Sequence, residues 1–126
     1  MKQIISTPKA PSAIGPYNQA TAFDKLIFTS GQIALNPATM EIVNGGVQEQ
    51  TKQVMENLKA VLEEAGSSFE NVLKTTCYLS DMDNFVAFNE IYGQYFKGET
   101  APARSTVAVK TLPKNVLVEV DTIAFK

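Results

Sequence analysis

The segment from Val47 to Ala65 constrains the fold more than any other part of the chain. Its apolar residues recur every three or four positions and its polar residues fill the other side, which predicts a long amphipathic helix ending before Gly66. A second helix is predicted from Asp81 or Asp83, either of which can cap it, to about Phe96. Its core side is predicted to be an aromatic stripe of Phe85, Phe88, Tyr92, Tyr95 and Phe96.

Strand-forming residues surround the two helices. A strand is predicted between them at Val72–Leu79. Upstream strands are predicted at Tyr17–Ala22 and at Leu26–Ser30 with Gln32–Leu35, and Met40–Val43 is a further candidate. Downstream strands are predicted at Arg104–Lys110 and Val116–Phe125, joined through residues 111–115 as in a hairpin. This order predicts one α+β domain over residues 1–126, a mixed sheet with two helices packed on one face.

Composition excludes several classes of function. The chain has no histidine, which removes Ser-His-Asp and Cys-His catalysis, histidine-ligated zinc and imidazole acid–base chemistry. A formal charge of −2 and a pI near 5.1, with no cluster of basic residues, argue against nucleic-acid binding. The single cysteine, Cys77, fits a reducing compartment, and we expect a buried structural thiol rather than a nucleophile. No run approaches the roughly 20 apolar residues of a membrane span, so a cytoplasmic protein without membrane contact is expected.

Alternation along the last two strands predicts which side chains share a face. Val116, Val118, Val120, Thr122 and Ala124 should lie under the helices, and Leu117, Glu119, Asp121, Ile123 and Phe125 should lie on the opposite face. Because that second set mixes bulky apolar residues with carboxylates, we expect another subunit to cover it. The valines Val107 and Val109 are predicted to face the core. Arg104, Thr106, Ala108 and Lys110 would then share the second face with Glu119.

Two interpretations of Arg104 and Glu119 follow from this parity. The first is an ordinary cross-strand ion pair. The second is an anion clamp, in which the guanidinium fork binds a carboxylate while Glu119 handles a proton or a water. Burial would raise the pKa of Glu119 and a nearby Arg104 would lower it, and the residues alone leave the direction open.

Three further positions carry weaker signals. Tyr17 follows Gly15-Pro16, which suits either a cleft rim or a loop anchor. Gly31, after Ser30, interrupts a strand pattern and indicates a bulge or the close approach of another group, and its N–H could bind an oxygen atom. Asn89 could make side-chain hydrogen bonds at a pocket edge or simply face solvent.

The ordered motifs of the chain resemble those of the YjgF/RidA family of reactive enamine and imine deaminases. The resemblance rests on Ala13-Ile14-Gly15-Pro16-Tyr17, Thr29-Ser30-Gly31-Gln32, Pro102-Ala103-Arg104-Ser105-Thr106-Val107 and Glu119-Val120, and it covers essentially the whole chain. It implies a chorismate-mutase-like fold in a homotrimer with clefts between subunits. It also implies hydrolysis of 2-imino acids, such as 2-iminobutanoate and 2-iminopropanoate, to 2-oxo acids and ammonia, without metal or organic cofactor.

The resemblance also implies roles for individual residues. Arg104 would clamp the substrate carboxylate, and Glu119 would position or activate the attacking water. The rest of the cleft would be formed by Tyr17, Ser30, the Gly31 backbone, Asn89 and Thr106. Thr106 stands where many family members have cysteine; because the family uses the backbone carbonyl at this position, threonine should serve.

Two other classes of function remain open at this point. The same cleft could belong to a regulatory module that binds 2-oxo acids without turnover. A chaperone-like or RNA-acting role is the other alternative, and the acidic pI and the absence of histidine weigh against RNA cleavage.

Overall fold

A six-stranded mixed sheet with two helices on one face forms the protein, and the computed structural model describes all 126 residues. The strands are β1 (Gln3–Ile5), β2 (Ala20–Phe23), β3 (Leu26–Thr29), β4 (Val72–Leu79), β5 (Ala103–Ala108) and β6 (Val118–Phe125), and the helices are α1 (Val47–Glu64) and α2 (Phe85–Tyr95). Their spatial order is β1-β2-β3-β6-β4-β5. The predicted fold class is confirmed, and neither helix is long and apolar enough to cross a bilayer.

The two helices follow the sequence pattern closely. At the start of α1, the backbone N–H of Gly46 donates to the Glu49 carboxylate at 2.8 Å, which caps the helix. Ahead of α2, the Asp81 carboxylate accepts the backbone N–H of Asp83 at 2.8 Å, as the capping prediction required. A short 3₁₀ turn, Met82–Asn84, separates this cap from Phe85, where α2 begins.

The core lies between the helices and one face of the sheet. Leu58 of α1 and Phe88 of α2 are fully buried on the helix side of the core. Val118 and Val120 of β6 are fully buried on the sheet side. The predicted alternation of β6 is confirmed, since its other set of side chains remains half-buried or exposed. The sheet therefore has one face packed against helices and a second, open face.

The last two strands are not a hairpin. β4 lies between them, paired parallel with β5 and antiparallel with β6. The 111–115 connection was predicted to join neighbouring strands because it is short, but it carries the chain past β4. β5 is thus the edge strand of the sheet.

The amino-terminal part differs from the prediction in its strand bounds. Tyr17 precedes β2, which begins at Ala20, and β3 ends at Thr29. Residues 32–35 and 40–43 form only two isolated bridges, Gln32 to Val120 and Leu35 to Ile42. The short strand β1 was not predicted, because three residues are too few for a period to be recognised.

Candidate functional site

The only arginine of the chain lies on the helix-covered side of the edge strand. Arg104 pairs in register with Thr75, which is fully buried beneath α2. Its Nη1 donates to Asn89 Oδ1 at 2.7 Å, and its Cζ lies 4.7 Å from the centre of the Tyr92 ring. The Phe85 ring adds a second aromatic contact at 5.4 Å. The guanidinium therefore rests on an aromatic platform and is bonded to a neutral amide, so its charge is not neutralised by that partner.

The predicted parity of β5 is wrong. Val107 was assigned to the core, yet it is 45% exposed and pairs with Tyr78 on the open face. Arg104 and Thr106 consequently lie on the helix side, away from Glu119. The prediction equated apolar residues with the core, but an edge strand at the margin of the helix layer is not bound by that rule.

The backbone of β5 presents unpaired groups at the edge of the sheet. Val109 donates its N–H to the Leu79 carbonyl at 2.9 Å, which fixes the alternation of hydrogen bonds toward β4. By that alternation, Arg104 and Thr106 direct their backbone N–H and C=O groups to the free edge. The Thr106 hydroxyl itself is buried and has no hydrogen-bond partner. What Thr106 offers at the free edge is therefore its backbone.

Glu119 lies on the open face of β6, directly against Gly31. A Cβ built on Gly31 would lie 2.8 Å from the Glu119 Cδ, so any larger residue there would push the Glu119 carboxylate out of its position. The interruption of the strand pattern at Gly31 was predicted to mark a bulge or a close approach, and the close approach to Glu119 is found. Gln32 and Val120 hold this segment over β6 with two backbone hydrogen bonds of 2.9 and 3.2 Å.

A cavity of about 450 Å³ adjoins Glu119. Its wall includes Ile14, Tyr17, Ser30, Gly31 and Lys114. Tyr17 is 47% exposed, and its hydroxyl accepts the Ile14 N–H at 3.3 Å, which holds the ring at the rim. The Ser30 hydroxyl donates to the carbonyl of Asn18.

Two buried amides that sequence reasoning missed hold segments of the cavity wall in place. The Gln19 side chain accepts the Thr7 N–H at 2.7 Å and donates to the Pro11 carbonyl at 2.8 Å, which fixes the amino-terminal segment beside the cavity. Asn57 of α1 donates to the Leu35 carbonyl at 2.9 Å and ties down the loop after Gly31. Gln19 lies before β2, outside any periodic pattern, whereas Asn57 is an amide within the buried stripe of α1, and that polar residue among apolar ones is the only signal in the sequence.

Burial raises the pKa of Glu119, and the negative charge of Asp121 raises it further. Arg104 makes no contribution, because it lies on the other side of the sheet. The sequence left open whether the pKa of Glu119 is raised or lowered, and within one chain it is raised. A carboxylate of raised pKa is a stronger base than an ordinary glutamate.

Cys77 is a structural residue, as predicted. Its side chain is fully buried, and burial raises the pKa of the thiol to about 11. A thiol of that pKa supplies almost no thiolate at neutral pH. No group of three or more Cys, Asp or Glu side chains is arranged to hold a metal ion.

Comparison with known proteins matches the family described as endoribonuclease L-PSP over residues 7–126. The chain belongs to this family, the YjgF/RidA family. It is 58% identical over 123 residues to a RutC family protein of Synechocystis, covering 97% of this chain and 95% of that one. It is 45% identical over 126 residues to the human 2-iminobutanoate/2-iminopropanoate deaminase, covering 100% of this chain and 91% of the human one. A crystal structure of a Rid family protein from Yersinia pestis superposes with a TM-score of 0.97 at 46% identity, over all of both chains.

The residues that the YjgF/RidA resemblance singled out form two groups in this chain. The guanidinium half-site consists of Asn89, Arg104 and Thr106, at the edge strand and α2. The carboxylate half-site consists of Tyr17, Ser30, Gly31 and Glu119, around the 450 Å³ cavity. Arg104 lines none of the three cavities of the chain. Within one chain, the two half-sites lie on opposite sides of the sheet and do not meet.

Proposed function

We propose that the protein hydrolyses 2-imino acids, among them 2-iminobutanoate and 2-iminopropanoate, to 2-oxo acids and ammonia. The observation that carries the proposal is the state of Arg104: an exposed guanidinium on an aromatic platform, bonded to a neutral amide. Such a group binds a small carboxylate in a fork geometry. The name of the human relative, a 2-iminobutanoate/2-iminopropanoate deaminase, supports the same substrate class.

The proposal includes the assembly of the active site from two copies of the chain. A guanidinium at a free sheet edge and a carboxylate in an open-face cavity can meet only if the edge of one copy lies over the cavity of the next. Such a head-to-tail contact forms a ring if the rotation between copies closes, and the family resemblance implies a closed ring of three.

The open face has the surface that such a contact needs. Several large apolar side chains are exposed on the strands β1, β2, β3 and β6: Ile4, Phe23, Leu26, Phe28 and Phe125. Contiguous exposed apolar surface of this kind marks an interaction site. The expectation that another subunit covers this face therefore becomes part of the proposal.

Substrate binding falls to the guanidinium half-site. The Arg104 fork would take both oxygens of the substrate carboxylate, while Asn89 fixes the orientation of the fork. The backbone groups of Arg104 and Thr106 at the free edge would contact the substrate nitrogen or the water. Fixing substrate and water together removes much of the entropic barrier, which is worth several kcal/mol in well-oriented reactions.

The hydrolytic step falls to the carboxylate half-site. Ionised Glu119 accepts a proton from water as the water oxygen bonds to the C=N carbon, and it passes that proton to the imine nitrogen. The hydroxyl proton of the resulting carbinolamine then moves through Glu119 to the amine nitrogen, the C–N bond breaks, and ammonia leaves as the 2-oxo acid forms. The raised pKa of Glu119 makes it a better proton acceptor than an ordinary glutamate.

RNA cleavage, which the description of the family names, has less support in this chain. The formal charge is −2, and there is no histidine for acid–base chemistry on a phosphodiester. The only arginine is engaged at the guanidinium half-site. The chain therefore lacks the cluster of basic side chains that attracts nucleic-acid phosphates.

The test generates short-lived 2-imino acids with an amino-acid oxidase and follows the release of ammonia. Wild-type protein should accelerate the release over buffer, and Arg104→Ala should abolish the acceleration while the circular dichroism spectrum is retained. A wild-type preparation that gives no acceleration would overturn the proposal. If that preparation bound 2-oxobutanoate in calorimetry, the cleft would be that of a non-catalytic binding module.

A further inference from the structure

Asp121 lies two residues beyond Glu119 on the open face of β6. Both carboxylates are half-buried, and the strand rise of about 3.4 Å per residue separates their Cα atoms by roughly 7 Å. The neighbouring strand β4 places Tyr78 directly opposite Glu119. The Tyr78 hydroxyl reaches diagonally along the face and donates to Asp121 Oδ2 at 3.3 Å.

We propose that Asp121, held by the Tyr78 hydroxyl, is a positioning residue that acts on the hydrolysis through Glu119. This role rests on the proposed function. Asp121 lines no cavity and touches no substrate in the arrangement described above, so it is not a catalytic residue. Its effect is electrostatic: an ionised Asp121 disfavours the ionised form of Glu119.

The pKa of Asp121 is raised overall by burial, and two groups on β4 oppose that rise. Burial raises the pKa of Asp121, whereas the Tyr78 hydrogen bond and the positive charge of Lys74 lower it. Two groups on β4 thus favour the anion against its burial. The hydrogen bond also prevents the Asp121 side chain from turning away along the strand.

Within one chain, the other groups around Glu119 leave Asp121 as its main charged neighbour. The segment after β3 presents only the Gly31 backbone, and β5 presents no ionisable side chain on the open face. Tyr78 faces it from β4, and the cavity wall contributes Tyr17 and Lys114. Besides burial, Asp121 is the group that raises the pKa of Glu119.

Glu119 and Asp121 therefore have different roles in the hydrolysis. Glu119 exchanges the proton with water, and Asp121 makes Glu119 a better proton acceptor than an isolated glutamate would be. Removing the charge of Asp121 should leave the Arg104 clamp intact while weakening the base. The expected kinetic signature is a changed kcat with little change in KM.

The experiment compares Asp121→Asn with wild type in two measurements. Carbon NMR of side-chain-labelled glutamate reports the titration of Glu119, assigned by the signal missing from Glu119→Gln. The pH profile of kcat for 2-iminobutanoate hydrolysis reports the same group in the working enzyme. In Asp121→Asn both midpoints should fall by about half a pH unit or more. Tyr78→Phe should give a smaller shift in the same direction.

Asp24→Asn is the matched control, since it removes one negative charge from an exposed turn whose positive φ suits asparagine. It should move neither midpoint. An active wild type whose two midpoints are the same in Asp121→Asn would overturn the role of Asp121 alone. A wild type without hydrolytic activity would overturn the proposed function and, with it, this role, whatever the NMR titration showed.

Discussion

Arg104 and Glu119 lie on opposite faces of the same sheet, with strand β4 between the strands that carry them. Arg104 faces α2, and Glu119 faces the cavity beside Gly31. An intrachain ion pair between them, one of the two interpretations that the sequence allowed, is therefore excluded. Their cooperation in one reaction requires a second copy of the chain.

Replacing Arg104 by lysine should reduce imine hydrolysis by about a hundredfold or more, because lysine keeps the charge but cannot offer two parallel hydrogen bonds to a carboxylate. Most of the loss should appear as a higher KM. The unfolding midpoint in urea should change little, since Arg104 is exposed. A lysine variant with wild-type KM would show that the fork does not bind the substrate.

Replacing Gly31 by alanine should abolish most of the activity, because the new Cβ would displace the Glu119 carboxylate. The matched control is Gly93→Ala on α2, where a Cβ meets nothing within 4 Å. That control should retain activity and gain up to about 1 kcal/mol of stability from its helix propensity. Steady-state kinetics and urea unfolding of both variants test the pair. Full activity in Gly31→Ala would contradict the position assigned to Glu119.

The Cys77 thiol should not react in the native protein. A pKa of about 11 leaves roughly one thiol in a thousand ionised at pH 8, and the side chain is fully buried. Incubation with a disulfide reagent should release no colour until urea unfolds the chain. Rapid labelling of folded protein, with loss of activity, would return Cys77 to the candidate nucleophiles.

A charge on the open face should prevent assembly. Phe28 is 43% exposed on β3, so Phe28→Glu should still fold. In any subunit contact over this face, however, the new carboxylate would be buried without a partner. Light scattering should then report a smaller particle than wild type, with activity lost in parallel. Lys59→Glu, at an exposed position of α1, is the control and should change neither. An assembled and active Phe28→Glu protein would place the subunit contact elsewhere.

Local pattern predicted most elements but not their arrangement. The helix period identified α1 and α2, and β-branched residues identified β4 to the residue. The position of β4 between β5 and β6 depends on pairing between distant strands, for which a single sequence carries no signal. Because of that, the face of Arg104 was assigned wrongly.

The sequence identified the residues of the candidate site but did not predict how they are arranged in space. Short motifs singled out Arg104, Glu119 and Gly31, because their chemistry is visible in the residue type. The buried amides Gln19 and Asn57, which hold the cavity wall, were missed because each acts through backbone groups far along the chain. The separation into two half-sites became visible only with the strand order.

Subunit mixing tests whether each cleft combines Arg104 of one chain with Glu119 of its neighbour. Arg104→Ala and Glu119→Gln should each be inactive alone, because each removes one half-site from every cleft. After the two variants are unfolded together in equal amounts and refolded, about a quarter of the clefts in a closed head-to-tail ring should combine an intact Arg104 with an intact Glu119 from its neighbour. The refolded mixture should recover about a quarter of wild-type activity, and activity no higher than that of the separate variants would show that the two half-sites do not combine across a subunit contact.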